Sequence, residues 1–185
     1  MKKKILGMSF ILAMGAAQAQ KMEVSASYGT PSLYGITNSI FSGLAMVFYD
    51  SDLDLVDSNG VLNVSFNLYS PSMKWRYGID LSHEFFDTND SKITKESYTT
   101  ISPKIDVFWN GSNRKLRVYT GVSAGILVRN AKFTDDNMNS KTYNNTIFGF
   151  NITPIGMRFG GKFAGFVESN IGTQGFFKGG IAYQF

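Results

Sequence analysis

Histidine occurs once in the 185 residues, as His83 in DLSHEFFD. Imidazole titrates near neutral pH, so a lone His close in sequence to Asp80, Glu84 and Asp87 is the first place to look for proton-transfer chemistry. Such a site needs the base, an orienting group and a nucleophile on one surface. His83 shares alternation parity with Trp75, Tyr77 and Phe85, while Glu84 falls on the other parity. A strand through this segment would therefore put the two on opposite faces. The second candidate is YDSDLDLVDSNG, 49–60, with Asp50, Asp52, Asp54 and Asp57. Alternate oxygen ligands suit calcium, but the calcium loop also needs Gly at its sixth position and Glu at its twelfth. Counted from Asp50, those positions hold Leu55 and Val61. GGKFAG at 160–165 lacks the spacing of a phosphate loop. There is no cysteine, which removes disulfides, thiolate metal sites and thiol nucleophiles. These residues predict neither a catalytic centre, nor a metal, nor a cofactor. A surface enzyme using His83 stands as an alternative.

The elements that would carry these residues begin after an export signal. MKKKILGMSFILAMGAAQAQ has a basic start at Lys2, Lys3 and Lys4, a short apolar run from Ile5 to Met14, and the small-x-small pattern Ala17-Gln18-Ala19. This predicts a signal peptide over 1–19 and a single mature domain over 20–185. The formal charge of +4 falls to +1 without those three lysines, so nucleic acid is not an expected partner. Past the signal, no apolar run approaches the ~20 residues of a membrane helix.

Period-2 alternation instead predicts eight strands, at about 21–29, 60–69, 74–86, 97–109, 115–129, 146–159, 163–171 and 176–185. In 146–159 the apolar parity changes between Phe148, Phe150, Ile152 and Ile155, Met157, Phe159. One extra residue near Thr153 and Pro154 would reconcile them, which predicts a β-bulge. The connections at 70–73, 110–114 and 160–162 are tight, while 30–59, 87–96 and 130–145 are long and polar, with 172–175 a short exception. Short turns on one side and long loops on the other are the rule for an up-and-down antiparallel barrel in the outer membrane. The first long connection also carries the apolar run ITNSIFSGLAMVFY, read as a cap over the barrel mouth.

The two parities divide by chemistry. One is apolar, with Trp75, Trp109, Phe159, Phe163, Tyr183 and Phe185 at strand ends that share one rim; this predicts an aromatic girdle at a membrane interface. Tyr28 and Phe85 lie toward the other rim. The other parity supplies Glu23, Arg76, Asp80, Glu84, Lys104, Asp106, Arg117, Glu168, Lys178 and, after the bulge, Arg158, with Lys74 and Arg129 besides. Eight strands leave a bore just wide enough for side chains. Charges there must pair, which predicts a salt-bridge network filling the lumen. A soluble barrel of lipocalin type, with its apolar parity inside, is the opposite reading of the same alternation.

The ending GFFKGGIAYQF, with Phe177, Ile181, Tyr183 and Phe185 at alternate positions, resembles the C-terminal signature of bacterial outer-membrane barrels. The layout of the chain is similar to the small eight-stranded barrels such as OmpX and the membrane domain of OmpA. SASYGTPSLYG and TPIGMRFGGKFAGFVESNIGTQGFFKGGIAYQF look like barrel-domain proteins common in Bacteroidota. The resemblance implies insertion by the barrel-assembly machinery, a bacterial outer-membrane location, contact with lipid and lipopolysaccharide, and a monomer. It implies a non-enzymatic structural or surface-interaction role through the loops. A narrow channel, or a transporter of small hydrophobic molecules, is a further alternative.

Overall fold

The computed structural model describes residues 21–37, 56–88, 93–110, 115–134 and 140–185. The expected signal peptide, Asp50, Asp52, Asp54 and most of the apolar run in the first connection lie outside these residues. All eight expected strands form. They are β1 (Met22–Gly29), β2 (Val56–Tyr69), β3 (Trp75–Thr88), β4 (Ile93–Phe108), β5 (Leu116–Thr134), β6 (Ser140–Gly160), β7 (Phe163–Gly172) and β8 (Phe177–Gln184). Each pairs antiparallel with the next, and β8 closes on β1 through pairs such as Glu23 with Gln184 and Gly29 with Lys178. Closure removes both sheet edges over the paired rows.

The register follows the predicted parities. Val64 faces Leu81 and Leu81 faces Ile101, so one apolar row runs around the outside, while Ser65, Asp80 and Ser102 form the row beside it on the inside. The predicted bulge is present: the β6–β7 register shifts between Ile152 and Ile155, and the β5–β6 register shifts opposite it, between Tyr119 and Gly121. A second irregularity separates Ser58 from Val61, where Gly60 has φ 97°, a conformation that costs a side chain strain.

Two expectations change. The polar stretches at 87–96 and 130–145 are mostly strand, because β4, β5 and β6 continue well past the expected ends and β3 slightly past its own. Their Thr, Lys, Asn and Ser residues pair in register, as with Asn130 and Asn144, since backbone pairing to an already formed neighbour needs no apolar face. The wall is therefore uneven: β5 has 19 residues and β6 has 21, while β1 and β8 have 8 each. Lys74, expected inside, is exposed in the turn before β3, because the strand begins one residue later at Trp75.

Candidate functional site

The ten charged residues assigned to the inner parity all project into the lumen, and all are buried or nearly so. Glu23 on β1 is the centre of the lower half. Its carboxylate accepts from Arg76 Nη1 at 2.9 Å, from Arg158 Nε at 2.8 Å and from the Tyr69 hydroxyl at 3.1 Å. Arg76 Nε donates in turn to Asp106 at 2.7 Å. Lys104 lies 3.4 Å from both Asp106 and Asp80. Gln174 Nε2 donates to Asp80 at 2.5 Å, and Lys178 donates to Gln174 Oε1. Lys178 also pairs with Glu168 at 2.9 Å, and Glu168 accepts the Tyr119 hydroxyl at 2.6 Å. One connected network thus takes a polar side chain from every strand. Within it four carboxylates, Glu23, Asp80, Asp106 and Glu168, meet four cations, Arg76, Lys104, Arg158 and Lys178. Buried ions must be matched in this way, since each unmatched one costs several kcal/mol by desolvation.

Three inward aromatics pack the network at the short-turn end. Tyr69, Phe108 and Tyr119 form a buried cluster with Met73 against it. The Arg76 guanidinium carbon sits 4.6 Å from the Tyr119 ring centre and 5.4 Å from that of Phe108. Arg117 lies 3.7 Å from the Phe108 ring centre and donates to the Met73 carbonyl. Cation–π contact gains strength where water is excluded, so the rings add to the two carboxylates that hold Arg76 and supply the main contacts of the Arg117 guanidinium. Gly156 makes room for this packing, because a Cβ there would overlap the Tyr119 ring.

Glu84 stands apart near the opposite end. Its carboxylate accepts from the Ser32 amide at 2.9 Å and from the hydroxyls of Ser32 and Ser58, each at 2.5 Å. One carboxylate thereby ties down both described ends of the first long connection. Ser32 Oγ also accepts the Gly35 amide at 3.0 Å, capping a one-turn helix, α1, over 33–37. Glu96 pairs with Arg129 at 2.6 Å beside a second buried cluster of Phe86, Tyr98 and Leu127, onto which Tyr34 of α1 packs.

His83 is on the outside. Its Nδ1 lies 2.8 Å from Thr99 Oγ1 and its ring centre 4.4 Å from that of Phe85. Glu84 points to the other side of the same strand, so the structure does not bring the pair together. Trp75, Trp109, Phe159, Phe163, Tyr183 and Phe185 are exposed on the outer surface at strand ends of one rim, and Phe177 and Ile181 are exposed on the outer face of β8.

No protein-family model matches this sequence, and no curated protein matches it. Among solved structures, the chain is similar to the crystal structure of the N-terminal β-barrel domain of Pseudomonas aeruginosa OprF. The identity is 13% and the TM-score 0.48, over 89% of this chain and 97% of that chain.

The alternation located the lumen charges, and with them Tyr119, Asn63, Asn67 and Asn170 on the polar parity, but not the ring cluster with Tyr69 and Phe108, nor Gln174. Tyr69, Phe108 and Tyr119 lie on the inward parity of their strands, and that parity was the available signal. Gln174 had none: it belongs to the short 172–175 connection, which folds inward and buries Thr173 and Gln174.

Proposed function

We propose that this protein is an integral barrel of the bacterial outer membrane that neither catalyses nor conducts, and that works through the parts that rise outside the membrane. The observation that carries this reading is the inversion of its surface. Phe66, Ile79, Ile101, Val122, Ile126, Ile181 and Val167 are each at least half exposed on the outer face, at mid-strand and on six different strands, while the charges are inside. A continuous apolar belt of this kind is unstable in water and stable in lipid. The aromatic rim on the short-turn side marks the periplasmic interface.

The connected ion network crosses the bore, and the Arg76 and Arg117 stacks close its periplasmic end, which supports a filled lumen over an ion path. Spanning takes about 9–11 residues per strand, so the 16 to 21 residues of β4, β5 and β6 stand well above the bilayer. That raised wall and the loops at its top are the surface available to partners, with lipopolysaccharide as the first neighbour. Phe177, Ile181, Tyr183 and Phe185 serve the assembly machinery in this reading, and the barrel acts as a monomer.

The test is gel mobility of the protein from isolated outer membranes, with and without boiling, followed by planar-bilayer recording. A shift on boiling and no unitary conductance are expected. Recovery as a soluble periplasmic protein with no shift would sink the membrane reading, and steady single-channel steps would sink the filled lumen.

A further inference from the structure

The uneven wall leaves a gap. β6 pairs with β5 along its whole length, up to Ser140 with Thr134, but with β7 only from Asn151 to Gly160. Above Asn151, among the described residues, that side of β6 has no strand beside it. The Phe150 carbonyl takes the Thr173 amide at 3.0 Å, and the Phe148 carbonyl takes the Tyr34 hydroxyl at 3.1 Å. The Tyr34 ring meets Phe150 edge-on at 6.1 Å between centres. So α1 lies across the opening and joins the lumen mouth to the outer face of β6.

A cavity of about 380 Å³ runs through this gap. Its floor is Tyr98 and Leu127, both buried, and its sides are Leu33, Tyr34, Ile147 and Phe150. Thr37, Arg129 and Asn145, all at least partly exposed, supply its polar groups. Ile147 has inward parity and Phe150 outward parity, so the cavity is lined from both faces of one strand. Phe150 also belongs to the outer apolar row with Phe148 and Ile152. The cavity is thus continuous with the surface that faces lipid, and it leads from there to a polar mouth. Its size falls in the range of small-ligand pockets and its walls are apolar in the way such pockets are.

We propose that this lateral cavity binds one single-chain, lipid-derived amphiphile, of the fatty-acid type, with the chain between Leu33, Leu127, Ile147 and Phe150 and the head group toward Thr37, Asn145 and Arg129. The continuity with the apolar belt argues for a lipid-derived occupant, because an acyl chain can enter from the bilayer without crossing water. The volume of about 380 Å³ argues for one chain and not two. The site rests on the membrane reading given above, and it adds a ligand class that the filled lumen does not require.

The test uses the protein reconstituted in phosphatidylcholine vesicles, with a palmitic acid carrying a photoreactive diazirine at its chain end as probe. Labelled residues are mapped by mass spectrometry. Labelling concentrated on 33–37 and 145–150, and reduced at least tenfold by excess unlabelled palmitate, is the expected result. Ile147→Trp, which fills the space, should reduce it as much, while Ile79→Trp on the belt across the barrel should leave it unchanged. Labelling spread along the whole belt and insensitive to palmitate in vesicle-bound wild-type protein would overturn the site alone. Failure of the wild-type protein to float with vesicles would overturn the membrane reading and the site with it.

Discussion

Glu23→Gln is the sharpest probe of the lumen. The side chain has no exposure and receives two guanidinium donors at 2.9 and 2.8 Å and a phenol at 3.1 Å. Glutamine keeps the shape but removes the charge, and its amide nitrogen meets cations where an oxygen met them before. Each hydrogen bond to a charged group is worth about 1.5–3 kcal/mol, so two of them weakened together amount to about 3–5 kcal/mol. Breaking a buried ion pair from one side costs about the same. With a urea m-value of about 2 kcal/mol/M, the midpoint should fall by roughly 1.5–2.5 M. The assay is urea unfolding of the barrel in vesicles, read by fluorescence of Trp75 and Trp109, which sit on the outer surface at the rim. Arg158→Gln alone should also destabilise, since losing the Arg158 charge leaves Glu23 with less compensation. The double variant should then cost less than the sum of the singles, with a coupling of about 1–3 kcal/mol. A midpoint unchanged from wild type would show that Glu23 is not a centre of lumen stability. Strict additivity with Arg158→Gln would refute the direct pairing.

Three further outcomes test other parts of the structure. Val122→Arg, at mid-strand on the outer face, should lower folding stability in vesicles by about 2–4 kcal/mol; an unchanged midpoint would mean that this face does not meet lipid. Gly156→Leu should cost about 1–3 kcal/mol by displacing the Tyr119 ring, and the loss should shrink when combined with Tyr119→Ala. Glu84→Ala removes every partner that the carboxylate gives to Ser32 and Ser58. Amide exchange at Ser32 and Gly35 should rise about 10- to 100-fold, corresponding to about 1.4–3 kcal/mol, with the strands unaffected; unchanged protection would show that Glu84 does not hold the connection.

Alternation alone determined the eight strands and divided the side chains of each into two faces, and the connection lengths set their up-and-down order. A strand has a period of two, and at mid-strand the charges of this chain keep to one parity, while the apolar residues fill the other and enter the charged one only as clusters such as Tyr69, Phe108 and Tyr119. Even the bulge was legible, because Ile152 and Ile155 cannot share a face without an extra residue between them. The sign of the fold, apolar out and charged in, was legible from aromatics gathered at strand ends. Tertiary structure decided the rest. Parity says that Glu23, Arg76 and Arg158 share a lumen, but only the stagger of the strands brings residues 135 positions apart to within 2.8 Å. The heights of the strands were hidden because pairing toward the long-connection end is held by backbone hydrogen bonds, which are indifferent to side-chain type. That is why 130–134 and 140–145 looked like loop and are strand. The gap above Gly172 follows from the same cause. It exists only as the difference in height between β6 and β7, and a difference between two strands is a property of neither strand's sequence.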